Sequence, residues 1–168
     1  DTNPETWYYD WDEAIPFTGV FDGDGHTIAN LRIVGQGYLG LFCCLEVGAE
    51  VRNLGVLNAS VTGSRRAIGA LVGYSGGSSI TCCYSTGKVS GTDTSVGGLV
   101  GYTRGGSVTC CWSKAEVTGA SFSVGGLVGE SWGAVTDCYS TGAVGGTGTW
   151  VGGLVGGNYG PVTRCYST

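Results

Sequence analysis

Eight cysteines and a single histidine are the residues of this chain best suited to chemistry, and their spacing limits what that chemistry can be. The cysteines come as the doublets Cys43-Cys44, Cys82-Cys83 and Cys110-Cys111 and as the singles Cys138 and Cys165. Adjacent cysteines are not the C-x-x-C pairs of a zinc site, and His26 cannot complete one alone, so no metal and no cofactor is expected. Phe21-Asp22-Gly23-Asp24-Gly25 has the look of a calcium loop, but the glutamate that should close it is replaced by Ile33. A glycine-rich turn between two strands is the simpler reading. Asp93, Glu116, Glu130 and Asp137 fall on different segments of the sequence pattern and form no line of carboxylates. No catalytic residue is assigned, and the chain is expected not to be an enzyme.

Those residues are carried by a repeat, which decides where they stand. Gly98-Leu99-Val100-Gly101 returns as Gly126-Leu127-Val128-Gly129 and Gly153-Leu154-Val155-Gly156. A variant reads Ala70-Leu71-Val72-Gly73 and a divergent copy Gly40-Leu41-Phe42-Cys43. A second block, Ile80 to Gly87, keeps step at Val108, Val135 and Val162, and Val89, Val117 and Val144 mark a third. Segments this short cannot bury an apolar face unless they stack. The fold expected is therefore all-β: a right-handed parallel β-solenoid with three short strands per rung of 27–28 residues. Composition agrees. Glycine fills 34 positions, prolines number only three, and 42% of residues are hydrophobic, which argues against both collagen and disorder.

Stacked rungs can be read as columns. Val51, Ile80, Val108, Val135 and Val162 are apolar and should face inward. Asn53, Cys82, Cys110, Asp137 and Arg164 should lie outside or at a corner, since Asp and Arg are rarely buried. Leu54, Cys83, Cys111, Cys138 and Cys165 form the next column; a leucine heading four cysteines marks it as buried, with the thiols serving as small hydrophobes. Tyr84, Trp112, Tyr139 and Tyr166 should stack along the axis. Cys82 and Cys110, one strand spacing of ~4.8 Å apart, are the candidates for a disulfide. Cys43 and Cys44 are given no partner. Strict alternation sends Leu99 to the face opposite Val100, so either Gly97-Gly98 kinks the strand or Leu99 and its copies form an outer stripe.

Charge divides the chain. Seven of the 13 acidic residues and none of the eight basic ones lie in the first 24 positions, leaving the rest with a net +2. No basic patch offers a nucleic-acid surface, and no apolar run is long enough for a membrane helix. Trp7, Tyr9 and Trp11 alternate with Tyr8, Asp10 and Asp12. Residues 1–16 are read as an acidic, aromatic strand, either a cap or a strand donated to a neighbour, and residues 17–168 as the solenoid.

The Gly-Leu-Val-Gly tetrads and the Cys-Tyr-Ser-Thr strings at 83, 138 and 165 resemble the GLUG repeat of bacterial cell-surface proteins and adhesins. The lead-in Phe17-Thr18-Gly19-Val20-Phe21-Asp22-Gly23 is similar too. The resemblance implies export to the cell surface and no catalytic residue. This chain departs from it at Cys43, at Lys114-Ala115, and at Cys82 and Cys110, where Asn is common. An exported protein with many cysteines suits an oxidising compartment. The pattern stops mid-rung at Thr168, which exposes strand edges. The leading expectation is a subunit of an extracellular filament or pilus-like fibre, assembled head-to-tail with Trp7, Tyr9 and Trp11 on the donated strand. The alternative is a monomeric adhesive or ligand-binding stalk cut from a larger surface protein, with host or abiotic surfaces as partners.

Overall fold

The structure is a computed structural model and describes residues 15–93, 95–120 and 122–168. Every strand pairing among them is parallel, and each strand pairs with the equivalent strand one turn away. From the third turn on the register offset matches the repeat: Tyr84 lies opposite Trp112 and Trp112 opposite Tyr139. The first turns are longer, with Val20 opposite Glu50 and Phe42 opposite Val72. Their extra residues sit at corners. The Gly23–His26 loop stands where the second turn has only Asn53-Leu54, and Arg65 and Arg66 both take positive φ beside Ala67.

The three apolar segments of each repeat are laid down as four strands, one more than the expected number. In the third turn these are Ser79–Thr81, Tyr84–Gly91, Ser95–Gly97 and Val100–Thr103. Their equivalents build sheets of six, eight, four and five strands. Two bends cause the difference. One falls at Cys82-Cys83, so that Tyr84 runs on into the segment of Val89. The other falls at Gly98-Leu99 and splits the Gly-Leu-Val-Gly segment in two.

That second bend settles the direction of Leu99. Leu71, Leu99 and Leu127 are wholly buried, as are Val72, Val100 and Val128 beside them. The glycines kink the strand. At each such corner two successive amides bond to one carbonyl of the next turn: Leu99 and Val100 N–H both donate to Leu127 O, at 2.9 and 3.1 Å. Alternation restarts after the corner, and both side chains turn inward, each burial worth about 1.5–3 kcal/mol.

The glycine tetrad and the serine of the Cys-Tyr-Ser-Thr string are one packing unit. Ser85, Ser113 and Ser140 are buried, and Ser85 Oγ donates to Gly98 O at 2.8 Å. A Cβ added at Gly98 would stand 2.2 Å from Ser113 Oγ, and one at Gly126 2.3 Å from Ser140 Oγ. Two motifs about 15 positions apart in sequence recur in step because they interlock across the core.

Candidate functional site

The outer corner column has a backbone reason for its composition. Asn53, Cys82, Cys110, Asp137 and Arg164 all adopt left-handed backbone, with φ between 52° and 54°. Asn and Asp tolerate that region best among residues other than glycine, whereas Cys and Arg carry a cost of order 1 kcal/mol or more. Cys82 and Cys110 occupy the same corner on successive turns, are exposed, and stand as free thiols. The Cys110 thiol is pushed above its ordinary value, first by desolvation and then by Cys82 and Asp137 on either side. One and two turns further on, Asp137 and Arg164 form a two-pronged ion pair at 2.5 and 2.7 Å. Asp137 is correspondingly held below the usual carboxylate range.

The next column does more than fill space. Cys83, Cys111 and Cys138 are buried and Cys165 is half-buried. The Cys83 amide donates to Cys111 Sγ at 3.3 Å, that of Cys111 to Cys138 Sγ at 3.4 Å, and that of Cys138 to Cys165 Sγ at 3.3 Å. Each thiol in turn faces carbonyls, as Cys111 Sγ faces Thr109 O at 3.2 Å and Ile80 O at 3.5 Å. The left-handed residue turns the following amide away from the ladder, and a buried amide needs an acceptor. Sulfur supplies it. Burial holds Cys111 well above its ordinary pKa, and burial followed by its neighbour Cys43 pushes Cys44 up to about 12.

Aromatic side chains line the outside in ladders. Tyr84, Trp112, Tyr139 and Tyr166 stack within 9° of parallel, at centroid spacings of 4.4, 5.8 and 5.2 Å. Asp22, in the string resembling a calcium loop, accepts from Asn53 Nδ2 at 3.0 Å, the Asp24 amide at 3.0 Å and Arg52 Nε at 2.8 Å. Those contacts, in that order, bring its pKa down to about 2. His26 is engaged with Gly23 O at 3.0 Å. Trp7, Tyr9 and Trp11 lie outside the described residues.

Two strings, Gly73–Gly77 and Gly129–Gly133, have the G-x-S-x-G spelling of a hydrolase nucleophile turn, against the sequence reading that the chain holds none. Their serines are buried. Ser75 and Ser131 point into the core, where Ser75 Oγ meets Ser78 Oγ at 2.7 Å and Ser131 Oγ meets Thr103 Oγ1 at 3.2 Å.

The sequence reading also passes over a column beside these strings. Two positions after the tetrad valine the residues are Tyr74, Tyr102, Glu130 and Gly157, and the pairing register sets them on successive turns. Tyr38 extends it, 5.1 Å from Tyr74, and Tyr74 stacks on Tyr102 at 5.6 Å. The available signal was the residue after Val-Gly in each tetrad, a place where the copies change chemistry.

Comparison with known proteins agrees with this architecture. The GLUG motif matches at residues 64–90 and 120–145. Halomucin of Haloquadratum walsbyi is 46% identical over 71 residues, which is 41% of this chain; the match spans about 1% of the length of that protein. A crystal structure from Bacteroides ovatus, provisionally named as an immunoglobulin A1 protease, superimposes with a TM-score of 0.50. It covers 91% of this chain and 70% of that one at 20% identity, a likeness of fold alone.

Proposed function

We propose that this chain, which carries GLUG repeats on a parallel β-solenoid, is a rigid, non-catalytic stalk segment of a larger exported surface protein. The observation that carries the reading is the parallel pairing: ladders pass from turn to turn in all four sheets, with a register shift between Ser85 and Gly87, around one continuous core. Bending such a rod means breaking several backbone bonds at once. Stacked rings and the Arg164–Asp137 pair tie successive turns on the outside and reinforce the same axis. Repeat architectures of this kind are extended by adding turns, and the match to about 1% of a far longer protein fits that use.

A second reading, head-to-tail assembly into a filament, draws on the last turn. There Val151, Val162 and Tyr166 are 44%, 41% and 56% exposed, beside strands open on one side. In a longer chain the next turn covers them; in the isolated chain a second copy would. Small-angle scattering and sedimentation separate the two. The stalk reading expects a monomeric rod whose length grows by about 4.8 Å per added turn. Mass that climbs with concentration, and that deletion of residues 1–16 abolishes, would support the filament and overturn the stalk.

A further inference from the structure

Most outer columns of this solenoid repeat themselves, as the stacked ladder from Tyr84 to Tyr166 does. The column Tyr74, Tyr102, Glu130, Gly157 does not, and a groove of about 370 Å³ lies along it. Its walls are Tyr38, Tyr74, Tyr102, Arg66, Arg104 and Glu130. A cavity of that size suits a small molecule, and aromatic surface with a few fixed polar groups is the usual lining of a binding site.

The polar groups are held in place from within the protein. Glu130 accepts from Trp132 Nε1 at 3.0 Å through one oxygen, and from Ser95 Oγ at 3.2 Å and Ser123 Oγ at 3.5 Å through the other. Arg66 lies 5.3 Å over the Tyr38 ring and donates to its hydroxyl at 3.2 Å. Arg104 is exposed at the groove and joins none of the ion pairs among the described residues, all of which lie elsewhere. Gly157 carries no side chain where the next turn would otherwise wall off Glu130; a Cβ there would come within 3.2 Å of Glu130 Cγ.

We infer that this groove binds a short acidic sugar, one carrying a carboxylate on a ring otherwise rich in hydroxyls. Arg104 offers a guanidinium outside those ion pairs, and guanidinium pairs with carboxylate through paired, charge-assisted hydrogen bonds. Glu130, already satisfied by three donors, still has lone pairs to accept from sugar hydroxyls. Tyrosine hydroxyls both give and take hydrogen bonds, as sugar hydroxyls do. The groove follows the solenoid axis across successive turns, which suits two linked sugar units better than one compact ion. The inference stands whether the chain is a stalk or a filament subunit.

The test is calorimetric titration of the 168-residue chain with digalacturonic acid, and with neutral galactobiose for comparison. The acidic disaccharide is expected to bind saturably and at least about tenfold more tightly than the neutral one, with affinity falling as salt is added. Arg104→Ala, at an exposed position, should weaken binding by about tenfold or more. Glu130→Gln should weaken it less, and Lys88→Ala, on another face, not at all. Circular dichroism checks that each variant keeps its fold. No saturable binding, equal binding of the two sugars, or an Arg104→Ala variant that binds like the parent would each overturn the proposal.

Discussion

At the scale of the residue, one backbone feature accounts for much of the side-chain chemistry. A left-handed corner at Cys82, Cys110 and Asp137 turns the next amide inward, and the cysteine sulfur one turn away receives it. The two neighbouring cysteine columns thus have opposite characters. In alkylation of the reduced chain at pH 8, followed by peptide mapping, the exposed Cys43, Cys82 and Cys110 are expected to react first. Cys44, Cys83, Cys111 and Cys138 should react only as the chain unfolds. Mild oxidation should remove Cys82 and Cys110 together if they join; early labelling of Cys111 would contradict the packed ladder. One of these thiols sets a pH limit. Cys44 is raised to about 12 from an ordinary value of 9.0, so the fold favours its protonated form. That stabilisation is complete below pH 9 and is lost as pH rises from 9 towards 12.

At the scale of the element, glycine makes the corners possible. A Cβ on Gly125 would lie 1.9 Å from Val128 O and 2.7 Å from Gly156 N, both backbone atoms that cannot step aside. A Cβ on Gly145 meets nothing within 4 Å. Gly125→Ala is therefore expected to destabilise by roughly 1–3 kcal/mol or more, and Gly145→Ala to stay within about 0.5 kcal/mol of the parent. Urea denaturation of the two variants measures both. Equal effects would mean that the corner geometry described here is wrong.

At the scale of the whole molecule, stability is a sum over turns and their interfaces. Removing residues 98–125 joins Gly97 to Gly126 in the register that Gly97 and Gly98 already occupy, since Gly97 pairs with Gly125. That variant should fold, shorten by about 4.8 Å in scattering, and melt modestly lower. Removing only residues 98–111 brings Gly97 against Trp112, out of register with every neighbour, and should abolish cooperative folding. If both deletions behave alike, the turns are not the units of the structure.

Sequence alone fixed the stacking, because recurrence every 27 or 28 residues allows one alignment of like residues, and the valine, cysteine and aromatic columns follow from it. It also placed Asn53 and its equivalents outside or at a corner, since Asp137 and Arg164 share that column, and the left-handed backbone decides for the corner. Direction at the Gly-Gly bends was not legible: alternation holds only along a straight strand, and two inward neighbours require the corner at which Leu99 and Val100 share one carbonyl. Nor was the groove. Tyr38, Arg66, Arg104 and Glu130 are drawn from four different turns, at positions where the repeat breaks its own pattern, and only the coiled chain brings them to one face.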